Sequence, residues 1–275
     1  MPLYIGNIRV ASTDAAGGIV TNYKTGGIVY QVHTFYGTGL FEAYKALSCD
    51  VLIVAGGGAG GGYDTTASRH NSPGHMGGGG AGGMGEISTL SVSAGDYIAT
   101  VGFGGEWRNG GTSVQSGQNS TFTGDGITDM TCYGGGGGCT YSATDPVAKN
   151  GGSGGGSDEN GSAGTATSGS GGSMTYYGNN GGGSASNSGG GGGGAGGAGG
   201  AEANAGGKGG VGRNNSLQTG ANQLYCEGGG MSNSAEATGW YVGNTSGESQ
   251  GNGYGHGGQP YMDGSHGVVV IRYAV

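Results

Sequence analysis

Residues 50–62 read Asp50-Val51-Leu52-Ile53-Val54-Ala55-Gly56-Gly57-Gly58-Ala59-Gly60-Gly61-Gly62, an apolar run of strand length that passes without a break into glycine. The first half has the β-branched content of a buried strand. The second half has no side chains from which to build a core, and glycine loses more backbone entropy on folding than any other residue. Such a segment is either a flexible linker or part of an arrangement that uses the missing side chain. The pattern is not isolated, because glycine runs return at 77–80, 134–138, 154–156, 181–183, 189–194 and 228–230.

Glycine supplies 78 of the 275 residues. Collagen needs a strict Gly-X-Y period with about 15–20% proline or hydroxyproline; four prolines and the run 134–138 exclude it. Disordered chains are poor in aromatics and carry high net charge, whereas this one has 16 tyrosines and a formal charge of -8. The acidic balance and scattered Lys and Arg give no basic stripe for nucleic acid. No stretch reaches the roughly 18 apolar residues of a membrane span, and the opening MPLYIGNIRV lacks the basic and apolar regions of a secretory signal. The expectation is no membrane insertion.

Working outward from residue 50, Ile28–Phe35 (IVYQVHTF) and Gly267–Tyr273 (GVVVIRY) read as further buried strands. Glu86–Phe103 carries a turn at Ser93-Ala94-Gly95-Asp96 between two alternating runs and reads as a hairpin. Residues 1–26 form a separate leading segment with a short strand or hairpin over Leu3, Ile5, Ile8 and Val10, then a turn at Ala15–Gly18. Residues 27–275 form the glycine-rich domain. Its first and last strands are expected to pair, clamping the glycine region at its base. The fold class is mainly β, with essentially no α-helix.

Within that clamp, a packed arrangement is available in the extended left-handed threefold helix, whose backbone N–H and C=O groups all point outward to neighbours. Ala195, Ala198 and Ala201 recur every third residue, as do Ala205, Lys208 and Val211. At three residues per turn each set lies on one edge of its helix. The expectation is a lattice of polyglycine II helices carried on the strand base, with irregular loops between the helices.

The segments between the runs, among them Tyr63–Met76, Glu106–Asn109, Thr140–Asn150, Ser157–Asn180 and Ser232–Asn252, are Asn/Ser/Thr-rich and studded with aromatics. Loops held by a rigid scaffold are where binding residues concentrate, and Tyr, Trp, Ser, Gly and Asn are the residue types of paratopes. The candidate contact residues are Tyr63, His70, Trp107, Tyr141, Tyr176, Tyr177, Trp240 and Tyr241. The competing reading of any one of them is a cap over the end of the lattice.

Chemistry is not expected. No Gly-x-Ser-x-Gly elbow occurs in a strand-turn-helix setting, and the Gly-x-Gly-x-x-Gly matches open no helix. Gly206-Gly207-Lys208 lacks the Ser or Thr of a phosphate loop. His33, His70, His75, His256 and His266 match no compact metal spacing, so neither metal nor cofactor is expected. Cys49, Cys132, Cys139 and Cys226 contain no Cys-x-x-Cys. Cys132 and Cys139 flank five glycines and could close a small loop if oxidised; the alternative is free cysteines packed as small apolar residues.

Three segments resemble a known family: Tyr30-Gln31-Val32-His33-Thr34-Phe35, Asp50–Gly58 with its strand running into glycine, and the closing Gly267–Tyr273. The opening Met1-Pro2-Leu3-Tyr4-Ile5-Gly6-Asn7 is similar to the start of some phage tail proteins. The chain thus resembles, over roughly residues 27–275, the glycine-rich domains of tailed-bacteriophage tail-fibre proteins and fibre-tip adhesins. The resemblance implies polyglycine II helices whose intervening loops bind a receptor on the bacterial surface, a glycan or an outer-membrane protein. It also implies a place on the virion after synthesis in the host cytoplasm, other tail or fibre proteins as partners, and either a homotrimer or a monomeric tip. The segment 1–26 would dock to the virion or to a partner fibre. The rival class is a structural fibre or surface-filament component with no specific receptor; ice binding is disfavoured by the long, aromatic intervening segments.

Overall fold

The computed structural model describes residues 3–5, 8–10, 14–62, 76–107, 115–140, 147–158, 161–184, 188–201, 207–230 and 253–275. Among them there are strands and extended segments but no α-helix. β1 (Leu3–Ile5) and β2 (Ile8–Val10) pair with each other as an antiparallel hairpin.

The expected clamp is present. β16 (Val268–Ala274) lies between β5 (Ile28–Phe35) and β7 (Leu47–Val54), antiparallel to both, with Val269 opposite Phe35 on one side and Ile53 on the other. Val51, Leu52, Ile53 and Val54 are all fully buried, as are Val268–Ile271. Burial on both faces is why these strands read as unbroken apolar runs rather than as alternation.

This sheet has the order β13 (Thr175–Tyr177), β8 (Met84–Val92), β7, β16, β5, β4 (Ile19–Thr25). A second sheet runs β12 (Gly169–Ser170), β11 (Met130–Cys132), β10 (Ser120–Gly124), β9 (Gly95–Thr100), β6 (Gly39–Ala43), β3 (Ala15–Ala16). Phe35, Val51, Ile53, Val269 and Ile271 of the first sheet meet Phe41, Tyr97 and Phe122 of the second in one core. On the other face of the first sheet, Val32, Leu52, Val54 and Val270 pack against Tyr225 of the hairpin β14 (Arg213–Asn215) and β15 (Gln223–Tyr225).

Two readings need correction. Residues 86–103 are not a hairpin: β8 pairs with β7 and β13, whereas β9 pairs with β6 and β10 in the opposite sheet. Val92 and Tyr97 both enter the core between the sheets, so the turn carries the chain across that core, and Tyr97 OH donates to Ser93 O at 3.1 Å. The second concerns β4, which was not foreseen. It forms a tight hairpin with β5 through Gly26 and Gly27, at φ of 57° and 84°. Positive φ at both positions is the two-residue turn that Gly-Gly serves. Residues 15–25 of the leading segment are thereby hydrogen-bonded into both sheets.

Beyond the sheets the strands run on as glycine segments, and their hydrogen bonds follow a three-residue rotation. In segment 55–61, Ala55, Gly58 and Gly61 donate to Gly83, Gly80 and Gly77; Gly56 and Ala59 donate to Gln118 and Gln115; Gly57 and Gly60 donate to Ser265 and Met262. Its carbonyls accept from three other segments: Gly56 and Ala59 from Gly135 and Gly138, Gly57 from Gly105, and Gly58 and Gly61 from Gly258 and Tyr261. Three donor directions and three acceptor directions mean six neighbours around one threefold helix. Segment 77–83 repeats the pattern, donating in rotation to Cys139, Gly190 and Gly258, then to Gly136, Gly193 and Gly255. The described glycine segments form a polyglycine II lattice whose N–H groups are satisfied chiefly by backbone carbonyls, while Gly104, Gly134 and Gly137 donate to His266 Nδ1, Asn119 Oδ1 and Ser116 Oγ.

Lys208 and Val211 are exposed while Gly207, Gly209 and Gly210 are buried, as one outward edge in three predicts. Ala198 and Ala201 are likewise exposed. Ala195 does not share their edge: the chain reverses there, Gly194 N–H donates to Gly197 O, and Ala195 is buried against Tyr225 and Val54 in the second cluster.

Candidate functional site

The end of the lattice remote from the sheets is built by the last residues of several segments. Gly61 N–H donates to Gly77 O, Gly77 N–H to Cys139 O, Gly78 N–H to Gly190 O and Gly207 N–H to Gly189 O. The described residues Gly62, Met76, Trp107, Thr140, Ser188 and Gly207 therefore stand at one end, and each borders a segment outside the described residues.

Trp107 is at this end and half-buried. Its backbone N–H donates to Asp263 Oδ1 at 2.5 Å, and its ring stands edge-on to Tyr261 with centroids 5.7 Å apart. A methyl group on Gly62 would lie 2.7 Å from Trp107 Nε1, so the indole lies over the end of the central glycine segment and caps it. Tyr63, His70, Tyr141, Trp240 and Tyr241 lie outside the described residues.

Tyr176 and Tyr177 are elsewhere. The expected loop at their position is strand β13, paired to β8 at the edge of the base sheet. Tyr176 OH donates to the carbonyls of Ser170 and Gly171, both at 2.6 Å, and burial pushes its phenol up to about 12. The Arg213 guanidinium sits 3.7 Å above the Tyr177 ring. These two rings are thus engaged in the base and do not join Trp107.

A feature the sequence did not single out lies along the flank of the lattice. Phe103 and Glu106 of the segment after β9, Gln115 and Gln118 of the segment before β10, and Asp263 and His266 of the segment before β16 line a groove of about 870 Å³. Phe103 is 56% exposed although its backbone is fixed in the lattice, its carbonyl accepting from Gln118 N–H at 2.8 Å. The His266 ring meets it edge-on with centroids 5.1 Å apart, and His266 Nδ1 accepts from Gly104 N–H at 2.9 Å. The other histidine nitrogen then carries the ring proton as a donor. Among the described residues, no Lys or Arg lines this groove.

Inside the lattice, His256 Nδ1 lies 3.3 Å from Glu227 Oε2, with both residues buried. Burial pushes the imidazole down to about 4, so it is neutral there. All four cysteines are free and buried; the Cys132–Cys139 loop is not closed. Burial pushes the Cys49 thiol up to about 12 and also raises those of Cys132 and Cys226. Among the described residues no cluster of His, Cys, Asp and Glu is placed to hold a metal ion.

A family model described as a glycine-rich domain matches residues 37–274. The chain belongs to this glycine-rich domain family. The matched span of the glycine-rich domain starts just after β5 and ends on the last residue of β16, so it takes in the whole lattice and the strand that closes it. No curated protein matches the chain.

Proposed function

We propose that this glycine-rich domain is a bacteriophage tail-fibre or fibre-tip adhesin. It binds a bacterial surface receptor through groups held on its polyglycine II lattice and through the loops that join the lattice helices. The observation that carries the reading is the lattice itself: a hydrogen-bonded bundle of glycine segments clamped by β5, β7 and β16, with Gly62, Met76, Trp107, Thr140, Ser188 and Gly207 standing together at one end. Such an end presents irregular residues at low cost in ordering entropy, since the scaffold is already fixed. On this reading the domain is non-enzymatic, sits on the virion, and residues 1–26 contribute to docking on other tail or fibre proteins.

The test is adsorption competition. Purified domain added to candidate host cells before the virus should lower the bound virus count, and Trp240→Ala or Tyr141→Ala should weaken that block while leaving the melting temperature unchanged. Absence of binding to any cell by the folded protein would overturn the reading.

One observation favours the rival structural role. β4 is an edge strand with Ile19 57% and Val20 42% exposed, and an open edge can pair with another chain. Equal adsorption after replacement of all intervening loops would favour that role.

A further inference from the structure

We infer that the flank groove binds a neutral oligosaccharide, with Phe103 as the platform for a sugar ring. The inference rests on the adhesin reading for its biological setting, but it assigns the ligand class and moves recognition from the lattice end to the lattice side.

Three features of the groove lead there. First, Phe103 is a large apolar ring left 56% exposed on a backbone that cannot move away from water, because Gln118 N–H holds its carbonyl and Gly105 N–H is bonded to Gly57 O at 2.8 Å. The edge-on His266 ring holds the phenyl from the side. A fixed, exposed aromatic face suits the polarised C–H face of a pyranose.

Second, the rest of the lining supplies what hydroxyl groups need. Gln115 and Gln118 offer amide donors and acceptors, Asp263 offers a carboxylate acceptor, and His266 presents its remaining ring N–H. These groups come from three lattice segments, so their spacing is set by the scaffold and not by loop conformation.

Third, the charge selects. The described lining residues include two carboxylates and neither Lys nor Arg, which disfavours phosphate, sulfate and uronate groups. The volume of about 870 Å³ lies in the range of roughly 300–1,000 Å³ for small-molecule sites and is open along one side, as a chain ligand requires.

The experiment titrates malto-, cello-, manno- and galacto-hexaose into the whole chain by calorimetry, with oligogalacturonate and a heparin fragment as anionic probes. Parallel adsorption to a panel of bacterial cells uses the same variants. At least one neutral hexaose should bind and neither anionic probe should. Phe103→Ala should weaken binding tenfold or more, Gln118→Ala at least threefold, and Phe103→Trp should retain it; Phe103 is exposed, so the melting temperature serves as the folding control. No binding by any neutral hexaose, or equal binding by Phe103→Ala, would overturn the inference. If the domain adsorbs to cells equally well with and without Phe103 and binds no hexaose, the groove inference fails and the adhesin reading survives. If Phe103-dependent hexaose binding is found without adsorption to any cell, the groove inference holds and the adhesin reading fails.

Discussion

A single methyl group at the centre of the lattice tests whether the glycines are packed or merely present. Gly79 donates to Gly258 O and accepts from Gly229 N–H, both at 2.8 Å, and lies beside the segment 55–61. A methyl on Gly79 would fall 2.2 Å from Gly58 O and 2.7 Å from Ala59 O, against the 3.4 Å at which ordinary contact begins. Segment 55–61 would have to retreat by about 1.2 Å (3.4 minus 2.2), which breaks bonds such as Gly58 N–H to Gly80 O at 2.9 Å. Overpacking strain of about 1–3 kcal/mol and two or three stretched buried bonds at about 1 kcal/mol each give a loss of about 3–6 kcal/mol for Gly79→Ala. For a domain of this size that lowers the melting temperature by roughly 6–24 °C. Gly183, also in a lattice segment, has nothing within 4 Å of its Cβ position. Gly183→Ala should range from neutral to about 1 kcal/mol more stable, through loss of unfolded-state entropy. Denaturant titration of the two variants reads the difference. A Gly79→Ala loss below 1 kcal/mol would refute the packing argument.

Other consequences follow from the base and the buried groups. Phe41, fully buried against Tyr97 and Phe122, should cost about 3–5 kcal/mol when changed to Ala, measured by the same titration. With four buried thiols and the Cys49 thiol pushed up to about 12, an aromatic disulfide reagent at pH 8 should find no reactive thiol in the folded chain and four after denaturation. His256 is held neutral in the fold, with its pKa lowered from 6.5 to about 4, so the unfolded chain binds the extra proton first. Its contribution to stability is complete above pH 6.5 and is lost as the pH falls towards 4, about 3 kcal/mol in all. His256→Gln should flatten the stability profile of the chain in that window.

What the sequence revealed depended on burial. β5, β7 and β16 could be read because their central residues are covered on both faces, which forces consecutive apolar side chains. β4 (IVTNYKT) is exposed along nearly its whole length, so no periodicity marks it; the Gly26-Gly27 turn was its only local sign. β10, β12 and β14 are two to five residues long and made largely of Ser, Thr, Gly and Asn, the same residues as the loops around them. The threefold lattice was visible where side chains interrupt the glycines, as at Lys208 and Val211, but the reversal at Ala195 was not, because glycine flanks it on both sides. The candidate contact residues were chosen as loop aromatics. Tyr176 and Tyr177 carry the same composition yet complete an edge strand. Phe103 was passed over as the end of an apolar run, although an aromatic followed directly by Gly104 and Gly105 has no strand left in which to hide.

Backbone amide exchange resolved by segment tests the central claim, that the glycine runs form a hydrogen-bonded lattice and not a tether. The N–H groups of 55–61, 77–83 and 190–195 each have a backbone acceptor within about 3.1 Å, so they should exchange as slowly as those of β16. Exchange of these glycines at the rate of an unstructured chain, while β16 stays protected, would contradict the account.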